Sequence, residues 1–409
     1  MLGYSIVRPV RETMGTMGGA RQLSWLFLAT FIAMLVAVPI YSALVARLPR
    51  RWLVRVVYHF FAICLLVFWI VMGIDSQNIQ IWTARIFFVW VNVFALFNTS
   101  VFWSVLADLF TNKQGKRLFG MIATGATVGA IIGSLLTSLL VTHLSIRFLI
   151  LLPIGLLEAG LWCAWRLEKQ SGAIASADPG QTSDGDAGAP TAGGLWAGIT
   201  GVLRSPYLAT LCLFLLFVQL SGTQLYFQQA EIVKAAFETD EQRTRLFAAI
   251  DLGTQLLTLF AQAILAGPIL RKLGVSFALA ILPVVYGLSF AGLAWQPTLI
   301  VLVIAMIATR ASAYGITVPA REVLFTVVSR EDKYKSKSFI DTVVMRGGDA
   351  AASQVFGLLR PLMALHALSV LMLPVTVIWA GVAWALGQQQ KRLATDIVCE
   401  SKSTQQSQP

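Results

Sequence analysis

Charge is scarce in this chain. Only 12% of its 409 residues are Asp, Glu, Lys or Arg, against about 25% in an ordinary soluble domain. Too few remain to cover a water-facing globular surface. Cysteine is nearly absent as well: Cys64, Cys163, Cys212 and Cys399 show neither zinc spacing nor a disulfide framework. The three histidines, His59, His143 and His366, are scattered, so no metal site is expected. A GxxxxGK[ST] loop is missing, which excludes a pump driven by an ATPase domain of its own. No cleavable signal pattern opens the chain. No nucleophile, acid and base cluster at one depth, so no enzyme, catalytic residue or cofactor is expected.

What remains is apolar. Hydrophobic residues make up 57% of the sequence. They fall into long runs rather than into stripes of helical period. Roughly 20 apolar residues form a helix that crosses about 30 Å of hydrocarbon. Such runs cover 24–45, 53–74, 79–102, 118–141 and 148–165, and six more begin near Tyr207, Leu246, Ser276, Thr298, Phe339 and Ala367. The expected fold is an all-α membrane bundle of two six-helix halves, with 11–12 transmembrane helices. The halves are residues 1–166 and 195–387. Between them, 167–194 is rich in Gly, Ala, Ser and Asp and reads as a flexible linker; 388–409 reads as a disordered tail.

The net charge of +11 would suggest nucleic acid in a soluble protein. Here the excess sits in alternate short loops: Arg47, Arg50, Arg51 and Arg55; Lys113, Lys116 and Arg117; Arg166 and Lys169; Arg271 and Lys272; Lys333, Lys335 and Lys337; Lys391 and Arg392. That is the positive-inside bias of an inserted bundle, and it places the linker and the C-terminus in the cytoplasm. The start is anomalous. A first span ending near Arg8 has only seven residues before it, too few to cross a bilayer. Either there are eleven full spans, or Met1 is a late start with sequence missing upstream, which is the reading preferred. Mass spectrometry of the native N-terminus decides between them.

A weak internal echo supports a duplicated bundle. Leu109-Phe110-Thr111, a basic loop and a Gly-rich span match Leu324-Phe325-Thr326, a basic loop and a span with Gly347 and Gly348. Gly125, Gly129 and Gly133 form an i, i+4, i+8 ladder that invites close helix packing. Charges at bilayer depth need a partner or a wet cavity. Arg310 lies near the middle of its span, and Arg346, Asp349 and Glu158 are also central. Their two readings are internal ion pairing, as for Arg346 with Asp349 at i, i+3, and a cavity where guanidinium groups hold an anion. Asp251 and Arg85 lie nearer the span ends, where snorkelling suffices. Arg8-Pro9-Val10-Arg11-Glu12 is either an interfacial anchor or a set of arginines at a cavity mouth.

Three segments carry a family resemblance: YSIVRPVRETMG (4–15), FWSVLADLFTNKQGKRLFG (102–120) and REVLFTVVSREDKYKSKSFIDTVVMRGGD (321–349). They resemble the ATP:ADP antiporter family of nucleotide transporters and its branch in free-living bacteria. The resemblance implies a major facilitator-type fold and nucleotide exchange. It also implies roles for Arg11 and Asp108, where characterised ATP carriers have Lys and Glu, and for Arg346, where they have Lys. Their acidic residue of the seventh span falls at Tyr226, with a charge nearby only at Glu231.

The expected function is a secondary transporter of an organic anion, such as a nucleotide, by alternating access. Arg8, Arg11, Arg310, Arg346 and Lys337 are the expected anion ligands, and Asp108, Asp341 and Asp349 the charge-pair switches. The alternative is a scaffold or assembly protein that keeps the bundle without transporting. The expected setting is a bacterial inner membrane, with a small anionic substrate and lipid as partners, no nucleic acid and a monomeric state.

Overall fold

The structure, a computed structural model, describes residues 1–17, 19–109, 112–177, 205–328 and 339–406. Side chains are described except for 19–21, 50–51, 105–121, 167–177 and 397–406 within those ranges. The described chain is helical throughout. Hydrocarbon offers no hydrogen-bond partner to a bare backbone, so each apolar run closes its own amide ladder. In order come α1 (Leu2–Thr16), α2 (Gly19–Arg47), α3 (Arg50–Val71), α4 (Gln77–Leu109), α5 (Asn112–Leu140) and α6 (Leu152–Ala177). Then follow α7 (Pro206–Ala236), α8 (Asp240–Phe260), α9 (Gly274–Trp295), α10 (Leu299–Ser312), α11 (Met345–Leu359) and α12 (Leu365–Gln406). Among the described residues, ten helical stretches are long and apolar enough to cross a membrane; all ten coincide with runs read from the sequence, and the run expected from Phe339 is not among them.

Three boundaries differ from the sequence reading. α1 does not stop near Arg8 but runs through Pro9 to Thr16. The ring of Pro9 removes the amide that would bond the Ser5 carbonyl, yet the helix continues through it; further on, the Thr13 hydroxyl donates back to the Pro9 carbonyl at 3.1 Å. At 15 residues, α1 is about 22 Å long, and Arg8 and Arg11 sit inside it rather than at its end. α6 continues to Ala177, past the expected linker start, and the linker residues 178–194 lie outside the described residues. α12 continues through Gln406 where a disordered tail was expected from Gln388. No Gly or Pro interrupts 388–406, and its Gln, Lys, Arg, Leu and Ala are good helix formers.

Several helices carry widened, π-helical turns: Ala261–Ala266 and Ile269–Leu273 after α8, Ala313–Thr317 after α10, and Ile340–Val344 before α11. After Ala313–Thr317 the α-helical path resumes over Val318–Leu324. Gly274, at φ 83°, turns the chain between the second of these and α9. Only glycine holds that φ without strain.

The chain forms two compact units. The first holds Met1–Gly18, Ile32–Ala192 and Phe237–Leu252. Its core is aromatic: Phe61 meets Trp90, Phe94 and Phe97 edge-on at 5.6, 5.1 and 5.7 Å, and Trp90 stacks on Phe94. α1 enters this unit along the glycine ladder of α5. A Cβ at Gly133 would lie 2.6 Å from the Leu2 carbonyl oxygen, and one at Gly129 3.5 Å from the Leu2 nitrogen. At Gly125 it would meet nothing within 4 Å. The second unit holds Gly19–Phe31, Gly193–Ala236 and Gly253–Pro409. Fully buried Trp379 of α12 anchors it, against Phe214 of α7 at 5.8 Å and Tyr286 of α9 at 5.5 Å.

Candidate functional site

Each unit buries its own set of charges. In the first, α1 supplies Arg8, Arg11 and Glu12. The Arg11 guanidinium donates to Glu12, which is 1% exposed, and to the Asn92 side-chain oxygen of α4 at 3.0 Å. It also lies 5.6 Å from the Phe88 ring centre. Arg8 faces Asp251 of α8, Nε to Oδ2 3.5 Å. Asp251 is 2% exposed, so it is a buried ion-pair partner and not the snorkelling residue expected near a span end. One turn of α1 further on, the Thr13 and Thr244 hydroxyls meet at 2.7 Å. The set joins two arginines, two carboxylates and an amide.

The second unit arranges its charges differently. Arg310, on α10, donates to the side-chain oxygen of Gln229, a neutral amide, at 3.2 Å. Tyr286 of α9 lies in hydrogen-bond reach of Thr309. On α11, Arg346 and Asp349 form the expected i, i+3 pair, at a loose 3.7 Å. The Arg346 side chain keeps 41% of its surface exposed while Asp349 keeps 17%. Asp349 also accepts from the Thr223 hydroxyl at 3.3 Å. Asp341 does not join this set; it pairs with Arg321 at 3.2 Å.

Of the sequence-derived candidates, Arg8 and Arg11 fall in the first unit and Arg310, Arg346 and Asp349 in the second. Lys337 lies outside the described residues, as does the Asp108 side chain. Glu158 points outward, 46% exposed, beside His59 of α3 at 3.7 Å. Tyr226 packs edge-on against Phe27 at 5.4 Å. Glu231 grips Arg360 with both oxygens, one bond being 2.6 Å from Nε.

Sequence reasoning passed over the polar stripe of α7. Five of the nine residues from Ser221 to Gln229 are Ser, Thr or Gln, and Ser221, Thr223, Gln224, Gln228 and Gln229 are all buried. Thr223 and Gln229 contact Asp349 and Arg310, and Gln228 donates to Ser369 of α12 at 2.6 Å. The side-chain amide of Gln224 is buried with no hydrogen-bond partner among the described residues. The cluster of polar residues inside an apolar run was the available signal. A search for charges alone does not see it.

The first unit also holds a cavity of about 340 Å³, bounded by Leu2, Tyr4, Tyr58, Asn98, Gly125 and Pro153 among others. None of the buried arginines lines it. No group of His, Cys, Asp and Glu that could hold a metal ion occurs among the described residues.

The comparisons with known proteins agree with this architecture. The nucleoside transporter NupG aligns with a TM-score of 0.58 at 15% identity, covering 94% of this chain and 98% of that one. A bacterial homolog of the human lysosomal transporter Spinster, in an inward-facing, unoccupied conformation, aligns at 0.51 and 15% identity, covering 97% and 92%. At these identities the likeness speaks for the fold. No curated protein sequence matches the chain. The family model described as Major Facilitator Superfamily matches residues 1–348. The chain belongs to that superfamily, and is a membrane transporter rather than an enzyme.

Proposed function

We propose that the chain is a secondary carrier of an organic anion, working by alternating access, with Arg310 and Arg346 as its anion ligands. The observation that carries this reading is the composition of the second unit's cluster. Arg310 meets the Gln229 amide there, and Arg346 meets Asp349, which also accepts from the Thr223 hydroxyl. Arg346 is held loosely and stays accessible. A planar, permanently charged fork of donors suits phosphate and carboxylate. Asp349 competes with the substrate for Arg346 and releases it when the anion binds. Gln229 and Thr223 orient the two charged groups without adding charge of their own.

A nucleotide is the specific anion suggested by the motif segments at 4–15, 102–120 and 321–349. Nucleosides join the test because one structural neighbour carries that name. The decisive experiment is uptake into proteoliposomes, with labelled ATP, ADP, AMP, nucleosides and dicarboxylates, with and without counter-substrate inside. Arg346→Ala is expected to reduce uptake of the transported anion about ten- to hundred-fold while leaving insertion intact. Uptake unchanged in that variant removes Arg346 from the site.

A second reading, a non-transporting scaffold, draws on the first unit, whose charges neutralise one another in buried pairs. It forecasts no uptake of any compound in the panel by well-folded protein.

A further inference from the structure

The outer face shared by α3 and α6 in the first unit combines features that interior packing does not explain. His59 and Glu158 meet there at 3.7 Å, with 53% and 46% of their side chains exposed. His59 is seven residues into α3 from Trp52, about 10 Å along the axis. A polar pair at that depth, facing outward, is unfavourable against bare hydrocarbon. It calls for a polar partner arriving from the lipid side.

Two arginines mark the same seam nearer its basic end. Arg55 lies over the Trp52 ring at 5.9 Å, and Arg166 over the Trp162 ring at 4.6 Å. Trp52, Arg55 and His59 are spaced i, i+3, i+7 on α3, and Glu158, Trp162 and Arg166 i, i+4, i+8 on α6, so each trio shares one helix face. All six are exposed. The helices run antiparallel, since His59 meets Glu158 while Tyr58 lies 3.5 Å from the Cβ position of Gly160 and Trp69 faces Phe148. Arg55 is therefore level with Trp162. Its guanidinium leans toward Trp52, away from the bilayer centre, while that of Arg166 leans back toward Trp162. Both charges thus lie on the basic-end side of the His59–Glu158 pair.

The geometry points to a binding site for an anionic phospholipid along this seam. The headgroup phosphate sits between Arg55 and Arg166, and an ester carbonyl of the glycerol backbone lies one turn deeper, beside His59. The order of depths matches a phospholipid: phosphate outermost, esters below, acyl chains along the apolar faces of α3 and α6. The His59 Nδ1 donates to the Arg55 carbonyl at 2.8 Å, which fixes the ring in place beside Glu158. A basic cleft between transmembrane helices with flanking tryptophans has the chemistry to hold such a headgroup.

The test uses the full chain in detergent, challenged with phosphatidylglycerol and phosphatidylcholine and read by native mass spectrometry. The unaltered protein is expected to retain phosphatidylglycerol in preference to phosphatidylcholine, and to lose that preference in high salt. Arg55→Gln with Arg166→Gln should lower phosphatidylglycerol retention about thirty-fold. Arg55→Lys with Arg166→Lys should keep part of it, and Arg85→Gln, whose arginine lies over Trp82 on α4, should keep all of it. Salt-insensitive retention in the unaltered chain overturns the proposal without any variant being needed. So does undiminished retention in the Gln pair. Cross-linking of two copies through exposed Cys163, beside Trp162 on this face, would assign the seam to self-association instead.

Discussion

The two buried charge clusters solve the same problem in opposite ways. In the first unit, Arg11 is clamped between Glu12 and Asn92, and Arg8 faces Asp251. Charge is matched by charge, and little of any of these side chains is exposed. In the second, Arg310 meets an amide, and Arg346 shares one carboxylate at a loose distance with much of its surface open. The first arrangement holds helices together, because separating its partners strands a charge in an apolar interior. The second sets its arginines against an amide and a loosely held carboxylate, an arrangement suited to exchanging an ion pair for a ligand.

That contrast can be broken by substitution. The largest effect is expected in the first unit. Arg11→Ala strands Glu12 and should destabilise the fold by about 3–5 kcal/mol, with Arg11→Gln/Glu12→Gln recovering most of it. Thermal unfolding in detergent measures both; equal melting of Arg11→Ala and the parent chain would erase the distinction between the clusters. Next, Arg346→Ala should reduce anion uptake about ten- to hundred-fold, the worth of a charge-assisted hydrogen bond, while its melting temperature stays within a few degrees of the parent. A large melting shift would make Arg346 a structural residue like Arg11. Third, Gly133→Ala should destabilise by about 1–3 kcal/mol, because the new methyl meets the Leu2 carbonyl at 2.6 Å. Gly125→Ala, with open space at that position, should stay within about 0.5 kcal/mol. The smallest effect is a gain. Gln224→Leu removes a buried amide without a partner among the described residues and should stabilise by about 1 kcal/mol. A loss instead would mean that the amide serves a bound polar molecule, extending the second cluster toward α12.

Long apolar runs announce membrane helices because length and hydropathy are local properties, so the spans were legible residue by residue. Arg310, Arg346 and Asp349 stood out for a related reason, since a charge deep in such a run is conspicuous by itself. What escaped notice depended on partners far along the chain. Asp251 reads as a span-end residue until Arg8, on another helix, is brought to it. Glu158 reads as central, yet its helix turns it outward beside His59. The first span was expected to end near Arg8, yet the helix runs on through Pro9 to Thr16, packed on partners far along the chain. Gln229 and Thr223 carry no charge, so nothing marked them before Arg310 and Asp349 were seen to reach them.

The widened turns described above, Ala261–Ala266, Ile269–Leu273, Ala313–Thr317 and Ile340–Val344, all belong to the second unit. A π turn holds one residue more than an α turn and bonds its amides one step further back. That surplus residue is slack: passed along the helix, it lets a segment rotate by part of a turn while every carbonyl keeps a donor. Ile340–Val344 ends two residues before Arg346, and Ala313–Thr317 begins three residues after Arg310. The two arginines that face neutral or loosely held partners are thus mounted beside built-in swivels, and either guanidinium can be re-aimed without baring backbone to lipid.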